Sequence, residues 1–143
     1  MKRIIYEPGV KLSGKRVVAL GFFDGVHEGH RVLLRNAKEE AEMAGLPFSV
    51  YTFVSENAPP KKGAALYSTE KKADIFESLG ADEMIISDFS SVSGMSAEDF
   101  VRKTLACDLG CEVAVCGYDF RFGKGARADA EMLGKLLSEC GGK

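Results

Sequence analysis

The sequence predicts an α/β protein built on a doubly wound parallel sheet of the Rossmann-like type. Three observations lead to this prediction: short apolar stretches alternate with amphipathic ones, the repeating unit is about 30 residues long, and glycines follow the amphipathic stretches. Parallel strands joined by helices in this order form a sheet that is covered on both faces. Such sheets bind ligands beyond the carboxyl ends of their strands.

Four short apolar segments predict the strands. They are rich in β-branched and aromatic residues, and turn-forming residues bound them. They span residues 15–23, 47–53, 83–87 and 111–117.

Four helices are predicted to follow these strands. The first three have apolar residues at helical spacing on one side. Ser68 can cap the second, and Ser96 with Asp99 forms a capping-box pattern at the start of the third. The helices begin near His30, Ser68, Ser96 and Asp129. Glycines end the first three, at Gly45, Gly80 and Gly110.

Length and charge limit the possible functions. The chain has 143 residues, which suits a single domain of about 100–200 residues. A formal net charge of −2 gives no overall positive field that would attract nucleic acid or an anionic membrane. No apolar run reaches the roughly 18 residues of a membrane span, and residues 1–15 lack the apolar region of a signal peptide. We therefore expect a cytoplasmic protein with neither nucleic acid nor membrane as a partner.

The four cysteines do not show the spacing of a metal site. No CxxC pair occurs among Cys107, Cys111, Cys116 and Cys140, and both histidines lie far upstream. We interpret the four as buried thiols in a reducing compartment and predict no protein-bound metal.

Residues 20–34, "LGFFDGVHEGHRVLL", contain both histidines of the chain, His27 and His30. Three glycines in this segment allow tight turning and close approach by a ligand. The helix that begins near His30 directs its free N–H groups and positive dipole end into the turn, which favours phosphate. The spacing fits neither a P-loop nor a dinucleotide fingerprint. It suits nucleotidyl transfer, whereas the alternative is a helix cap and turn that happen to contain histidine.

A second loop follows the fourth strand, over residues 117–127. It carries three cations, Arg121, Lys124 and Arg127, which read either as phosphate partners or as a solvated charged loop. Phe120 and Phe122 flank Arg121. Their rings could stack on a flavin or adenine ring, and a role in the core is an equal alternative.

Both loops resemble one family. "GFFDGVHEGHR" resembles the adenylyl-transfer signature of prokaryotic FAD synthetases, the bifunctional riboflavin kinase/FMN adenylyltransferases, which belong to the HxGH nucleotidyltransferase superfamily. "CGYDFRFGKGARAD" resembles the second conserved segment of the same family. "STEKKADIFESLGADEMI" and "MSAEDFV" match its helical stretches in order, so the resemblance covers nearly the whole chain.

The resemblance implies adenylyl transfer from ATP to FMN, giving FAD and pyrophosphate. It implies that His27 and His30 are catalytic, stabilising charge on the ATP phosphates, and that Mg²⁺ arrives with ATP, held by phosphates and water. The implied nucleotide-binding residues are Gly21, Phe23, Asp24, Gly25, His27, Gly29, His30, Gly117, Asp119 and Arg121. The implied flavin- and phosphate-binding residues are Phe53, Asp119, Phe120, Arg121, Phe122, Gly123, Lys124 and Arg127.

The sequence departs from the family pattern in two places that bear on function. "VSENAPP" replaces the usual Pro-His-Pro type segment after residue 53, and nothing within residues 1–143 matches the family's Ser/Thr-rich phosphate segment or its riboflavin kinase domain. We expect a single FMN adenylyltransferase-like domain over residues 1–143. The alternatives are an inactive or truncated domain that binds nucleotide or flavin, and a nucleotidyltransferase for another phosphorylated substrate.

Overall fold

The fold is centred on a single five-stranded parallel sheet. The computed structural model describes residues 1–21, 23, 28–54, 69–117 and 120–142. The strand order is β1-β4-β3-β2-β5, and every neighbouring pair is parallel. The strands are β1 (Lys2–Ile5), β2 (Arg16–Gly21), β3 (Phe48–Val54), β4 (Glu83–Asp88) and β5 (Cys111–Cys116). The predicted parallel α/β architecture is therefore confirmed.

Five helices connect and follow these strands. They are α1 (Glu28–Ala44), α2 (Thr69–Ser78), α3 (Phe89–Val92), α4 (Ala97–Asp99, continued by a π-helical part, Phe100–Asp108) and α5 (Ala130–Glu139). Ser96 caps α4 as predicted, and Asp129, the predicted start of the last helix, caps α5; their side chains accept hydrogen bonds from the backbone N–H groups of Asp99 and Met132. The predicted cap Ser68 lies outside the described residues.

Apolar side chains cover the sheet on both faces, as a doubly wound fold requires. Strand β2 lies between β3 and β5, so its side chains are buried on either side. Val17 and Ala19 pack in one core with the buried side of α1 and α2, whereas Val18 and Leu20 pack in the other with α4 and α5. The near-continuous apolar character of the 15–23 segment follows from this central position.

The edge strand β1 is absent from the sequence prediction. Lys2, Arg3 and Ile5 are exposed, and the strand joins the sheet through parallel pairing with β4, with Lys2 opposite Glu83. A strand of four residues with two charges has no clear alternation, and charged residues are common on sheet edges. Its pairing is set by the tertiary fold and not by its own pattern.

The π-helical part of α4 was also not predicted. Its buried residues repeat at intervals of four, as Phe100, Thr104 and Asp108 do. The N–H of Leu109 donates to the carbonyl of Thr104, five residues earlier, at 2.9 Å. A π-helical turn contains more residues than an α-helical turn, so residues four apart stay on one side of the helix. Phe100, Thr104 and Asp108 therefore all remain buried.

The cysteine prediction is wrong in one respect. Cys111 alone is buried, whereas Cys107 and Cys140 are exposed and Cys116 is half-buried. All four thiols are free, in keeping with the absence of disulfides in the prediction. Burial raises the pKa of the Cys111 thiol to about 12, so that this thiol stays protonated at neutral pH.

Two tyrosine hydroxyls are buried between the sheet and α4, and they differ in their hydrogen bonding. The Tyr6 hydroxyl donates to the Asp108 carboxylate at 2.7 Å. The Tyr51 hydroxyl has no hydrogen-bond partner within 3.5 Å among the described residues. Burial raises the pKa of Tyr51 to about 12 and raises that of Tyr6 as well. Both side chains are therefore neutral at physiological pH.

We expect different effects when each hydroxyl is removed. Tyr6→Phe should lower the free energy of unfolding by about 2 kcal/mol, because a hydrogen bond to a charged group is lost. Tyr51→Phe should leave it unchanged within about 1 kcal/mol, because the hydroxyl makes no hydrogen bond within 3.5 Å to a described residue and its interaction with Ser87 is weak. Urea unfolding at pH 7 measures both. An equal loss in the two variants would contradict this assignment of partners.

Candidate functional site

The sheet topology places the two predicted loops side by side. Strands β3 and β4 lie in sequence order on one side of β2, and β5 pairs with β2 on its other side. The strand order therefore reverses between β2 and β5. Leu20 pairs with Cys116 in parallel register, which brings the carboxyl ends of these strands together. The loops that start at Gly21 and Gly117 therefore leave the sheet at the switch point, where doubly wound folds bind ligands.

The first loop leads directly into α1. Helix α1 begins at Glu28, so Gly29 and His30 lie in its first turn, as predicted. The N–H groups of that turn have no partners within the helix, and the positive dipole end lies there too. Asp24, Gly25 and His27 fall outside the described residues. The described part of this loop thus ends in a helix terminus of the kind that favours anions, with His30 in its first turn.

Phe23 has an unusual backbone conformation beside this helix terminus. Its φ of 54° makes it the single non-glycine residue with positive φ in the described part of the chain. Its ring is buried and lies so close to Gly21 that a Cβ there would be 3.1 Å from the ring. Any larger residue at position 21 would have to displace the Phe23 ring by a few tenths of an ångström. Strained backbone of this kind is concentrated at functional sites.

The His30 imidazole packs against Phe23. Their ring centroids are 5.3 Å apart, with an angle of 74° between the planes. The same Phe23 ring meets Phe76 of α2 at 5.4 Å and 75°. Edge-to-face contacts of this kind are favourable and directional. His30 therefore sits in a defined aromatic environment at the start of α1, half-buried.

The second loop folds back on itself. Phe122 and Ala128 form an antiparallel bridge, with N–H to carbonyl distances of 3.0 Å and 3.1 Å. A single 3₁₀ turn, Lys124–Ala126, lies between them. The bridge fixes both ends of the cationic segment, which includes Lys124 and Arg127.

This loop is anchored on the start of α4. The N–H of Lys124 donates to the Met95 carbonyl at 2.8 Å. Gly123 has a φ of 79° and packs so closely that a Cβ there would lie 3.2 Å from the backbone nitrogen of Ala97. Glycine is needed at position 123 both for its backbone conformation and for this contact. The loop and α4 therefore form one wall at the carboxyl edge of the sheet.

An open cleft of about 280 Å³ lies between the loop and the first turns of α4 and α5. Its lining residues are Ser96, Ala97, Glu98, Phe122, Gly123, Lys124, Arg127, Ala128 and Met132. Among the described residues no carboxylate forms an ion pair with Lys124 or Arg127. With Glu98 as the one carboxylate among the described lining residues, the two cations leave the lining with a positive charge that suits an anionic ligand.

The structure places the predicted aromatic site residues mainly in the core. Phe120 and Phe122 are 8% and 6% exposed, and their rings stack at 6.0 Å with 16° between the planes. Phe122 also contributes to the cleft. Phe53 is buried, with its ring 4.7 Å from that of Tyr51. Packing accounts for all three rings, and their contact with flavin remains a prediction.

Two polar positions of the second loop do not join the cleft. Arg121 is exposed and is not among the lining residues of the cleft. Asp119 lies outside the described residues. Conversely, Ser96, Glu98 and Met132 line the cleft but were not predicted as site residues. The sequence predicts Ser96 as a helix cap alone and assigns no role to Glu98 or Met132.

No group of three His, Cys, Asp or Glu side chains that could hold a metal occurs in the described ranges. Within those ranges there is also no helix of the length and apolarity needed to span a membrane. The site described so far therefore consists of a helix terminus with His30, a cationic loop and the cleft beside it.

A helix terminus with HxGH spacing, at the switch point of a parallel sheet, defines a Rossmann-like nucleotidyltransferase fold. The sequence matches the FAD synthetase family over residues 10–143. The chain belongs to this family, as the resemblance of the two loops predicted.

Curated relatives include bifunctional riboflavin kinase/FMN adenylyltransferases from three bacteria. Identity is 34% over 78% of this chain for the Bacillus subtilis protein, 32% over 87% for that of Escherichia coli, and 36% over 84% for that of Listeria monocytogenes. The chain spans 37%, 42% and 40% of these proteins, respectively. Among solved structures, the crystal structure of the macrolide-efflux protein from Streptococcus pneumoniae matches 96% of this chain and 48% of its own, with a TM-score of 0.81 and 25% identity.

Proposed function

We propose that this chain transfers the adenylyl group of ATP to FMN, giving FAD and pyrophosphate. The observation that carries the proposal is that both motif loops leave the sheet at one switch point: the first leads into the turn of α1 that contains His30, and the second carries the cations of the cleft. A reaction between two phosphorylated substrates needs two neighbouring anion sites. Membership of the FAD synthetase family supports these particular substrates. We place the reaction in the cytoplasm and assign it to residues 1–143 as one domain.

The reaction requires positioning and charge stabilisation. A phosphate oxygen of FMN forms a bond to the α-phosphorus of ATP, the bond from that phosphorus to the bridging oxygen breaks, and pyrophosphate leaves with the bonding electrons. His27 and His30 would donate hydrogen bonds to the phosphates, where negative charge increases in the transition state. Gly21, Gly29 and the start of α1 would bring backbone N–H groups close to the same phosphates.

Mg²⁺ would enter with the ATP. Because Mg²⁺ is commonly held by substrate phosphates, water and one or two carboxylates, it needs no cage made wholly of protein ligands. The ion would neutralise phosphate charge during transfer.

FMN would bind at the cleft. Lys124 and Arg127 would attract its phosphate, and Phe122 and Met132 would offer apolar surface to the ring system. Ser96 and Glu98 would add hydrogen-bonding groups for the polar edge of the flavin or for the ribityl chain.

Chromatographic detection of FAD tests the proposal directly. The purified 143-residue chain would be mixed with FMN, ATP and Mg²⁺, and in parallel reactions CTP would replace ATP. FAD formed in the reaction with ATP, and no product in the reaction with CTP, would support the proposal. Turnover with CTP would favour a different nucleotidyltransferase. Binding of ATP or FMN with no pyrophosphate released would indicate a binding domain.

Neutralising the cleft should discriminate FMN from riboflavin. We expect Lys124→Ala and Arg127→Ala each to weaken FMN binding about tenfold, since each removes a charge-assisted contact worth about 1.5 kcal/mol, and to change riboflavin binding little. Lys135→Ala, on the exposed side of α5, provides a matched control. Flavin fluorescence titration measures the affinities. Equal losses for FMN and riboflavin would argue against a phosphate contact.

A further inference from the structure

The rings of Phe76, Phe23 and His30 form a continuous edge-to-face stack. Phe76 is fully buried on α2, Phe23 lies in the first loop, and His30 is in the first turn of α1. The two steps of the stack are 5.4 Å and 5.3 Å between ring centroids. The stack therefore connects α2, which carries none of the predicted site residues, to the described site histidine.

The middle ring of the stack is tightly confined. Phe23 is 2% exposed and packs against Gly21 on one side and Phe76 on another. Its backbone is held at a φ of 54°, which is rare for a side chain of this size. Since protein interiors are densely packed, a change in the size of one neighbour displaces the ring between them. The position of the surface against which His30 packs is thus set by Phe76 and Gly21.

We propose that Phe76 is a positioning residue for His30 and acts through the Phe23 ring. This role rests on the proposed adenylyl transfer, in which His30 must meet a phosphate oxygen. A displacement of about 1 Å in a catalytic group can cost up to about 100-fold in rate. Loss of the Phe76 ring should therefore lower kcat by about 10- to 100-fold, with a smaller change in the KM for ATP.

Phe76→Leu tests the proposal, with Phe48→Leu as its matched control. Both side chains are buried in the same apolar core, but Phe48 lies at the first residue of β3, at the opposite edge of the sheet from the site. The chain has two histidines, so ¹³C-labelled histidine gives a simple NMR spectrum that His30→Ala assigns. We expect Phe76→Leu to shift the His30 ring resonances and lower kcat, and Phe48→Leu to do neither.

A second variant reaches the Phe23 ring from the other side. Gly21→Ala leaves α2 intact and introduces a methyl group 3.1 Å from the ring. It should shift the His30 resonances as well, which tests the contact between Phe23 and His30 alone. If Phe76→Leu does not fold, Phe76→Met, which keeps more of the buried volume, takes its place in the comparison with Phe48→Leu. The proposal would be overturned if Phe76→Leu shifted the His30 resonances no more than Phe48→Leu does, or if Phe76→Leu did not lower kcat. If the parent chain forms no FAD, the proposed function fails, and the NMR comparison alone then decides whether Phe76 positions His30.

Discussion

His30→Ala should lower kcat for FAD formation by at least about 100-fold, the loss seen when one preorganised charge-stabilising donor is removed. His30 lies in the first turn of α1, where the free backbone N–H groups and the positive dipole end already favour a phosphate. Its imidazole would add a donor aimed at the charge that develops during transfer. Single-turnover measurement of FAD or pyrophosphate gives the rate of the chemical step.

Asn36→Ala is the matched control for this experiment. Asn36 lies on the same helix, is exposed, and is remote from the first turn. It should leave kcat within about twofold of the parent, as expected for a surface substitution worth less than about 0.5 kcal/mol. A folded His30→Ala protein with the turnover of the Asn36→Ala protein would remove His30 from the catalytic assignment.

Arg16→Met should lower the free energy of unfolding by about 3–5 kcal/mol. Arg16 is 4% exposed at the start of β2, and its Nε lies 2.9 Å from the Glu83 carboxylate. The guanidinium also donates to the carbonyls of Ser13 and Leu109. Without the guanidinium, Glu83 keeps a hydrogen bond from Ser49 at 2.6 Å. Its carboxylate, which is largely buried, loses the positive charge that balances it. Urea unfolding measures the loss.

Two comparisons identify the cause. Arg102 forms an exposed ion pair with Glu139, so Arg102→Met should cost less than about 1 kcal/mol. Combining Arg16→Met with Glu83→Leu should restore much of the lost stability, because no unpaired buried charge remains. A single Arg16→Met variant that is as stable as the Arg102→Met variant would show that the buried pair contributes little.

Much of the fold could be predicted because local patterns and tertiary structure agree. Gly45, Gly80 and Gly110 follow helices as expected, and each has a positive φ that suits a helix end. The cap Ser96 is also where the sequence places it, and the last helix begins beside Asp129 as expected. In these positions the residue type alone restricts the backbone, so no knowledge of distant contacts is required.

The remaining features depend on contacts between segments that are distant in sequence. Strand β1 forms because β4 offers a free edge, and the π-helical part of α4 follows from the packing of residues four apart against the sheet. The cleft depends on the anchoring of Gly123 against Ala97, which no local pattern encodes. The two motif loops were predicted individually, but their adjacency follows from the pairing of β2 with β5.

The buried hydrogen bonds of Arg16 lie at the amino ends of the strands, whereas both motif loops follow the carboxyl ends of strands. The ion pair of Arg16 and the proposed ligand site thus lie at opposite ends of the strands. Directed evolution can make use of this separation. A library restricted to the exposed cleft residues Glu98, Lys124, Arg127 and Met132 would explore new acceptor substrates with most of its members still folded, and stabilising changes around Arg16 could be added to any selected variant with nearly additive effect.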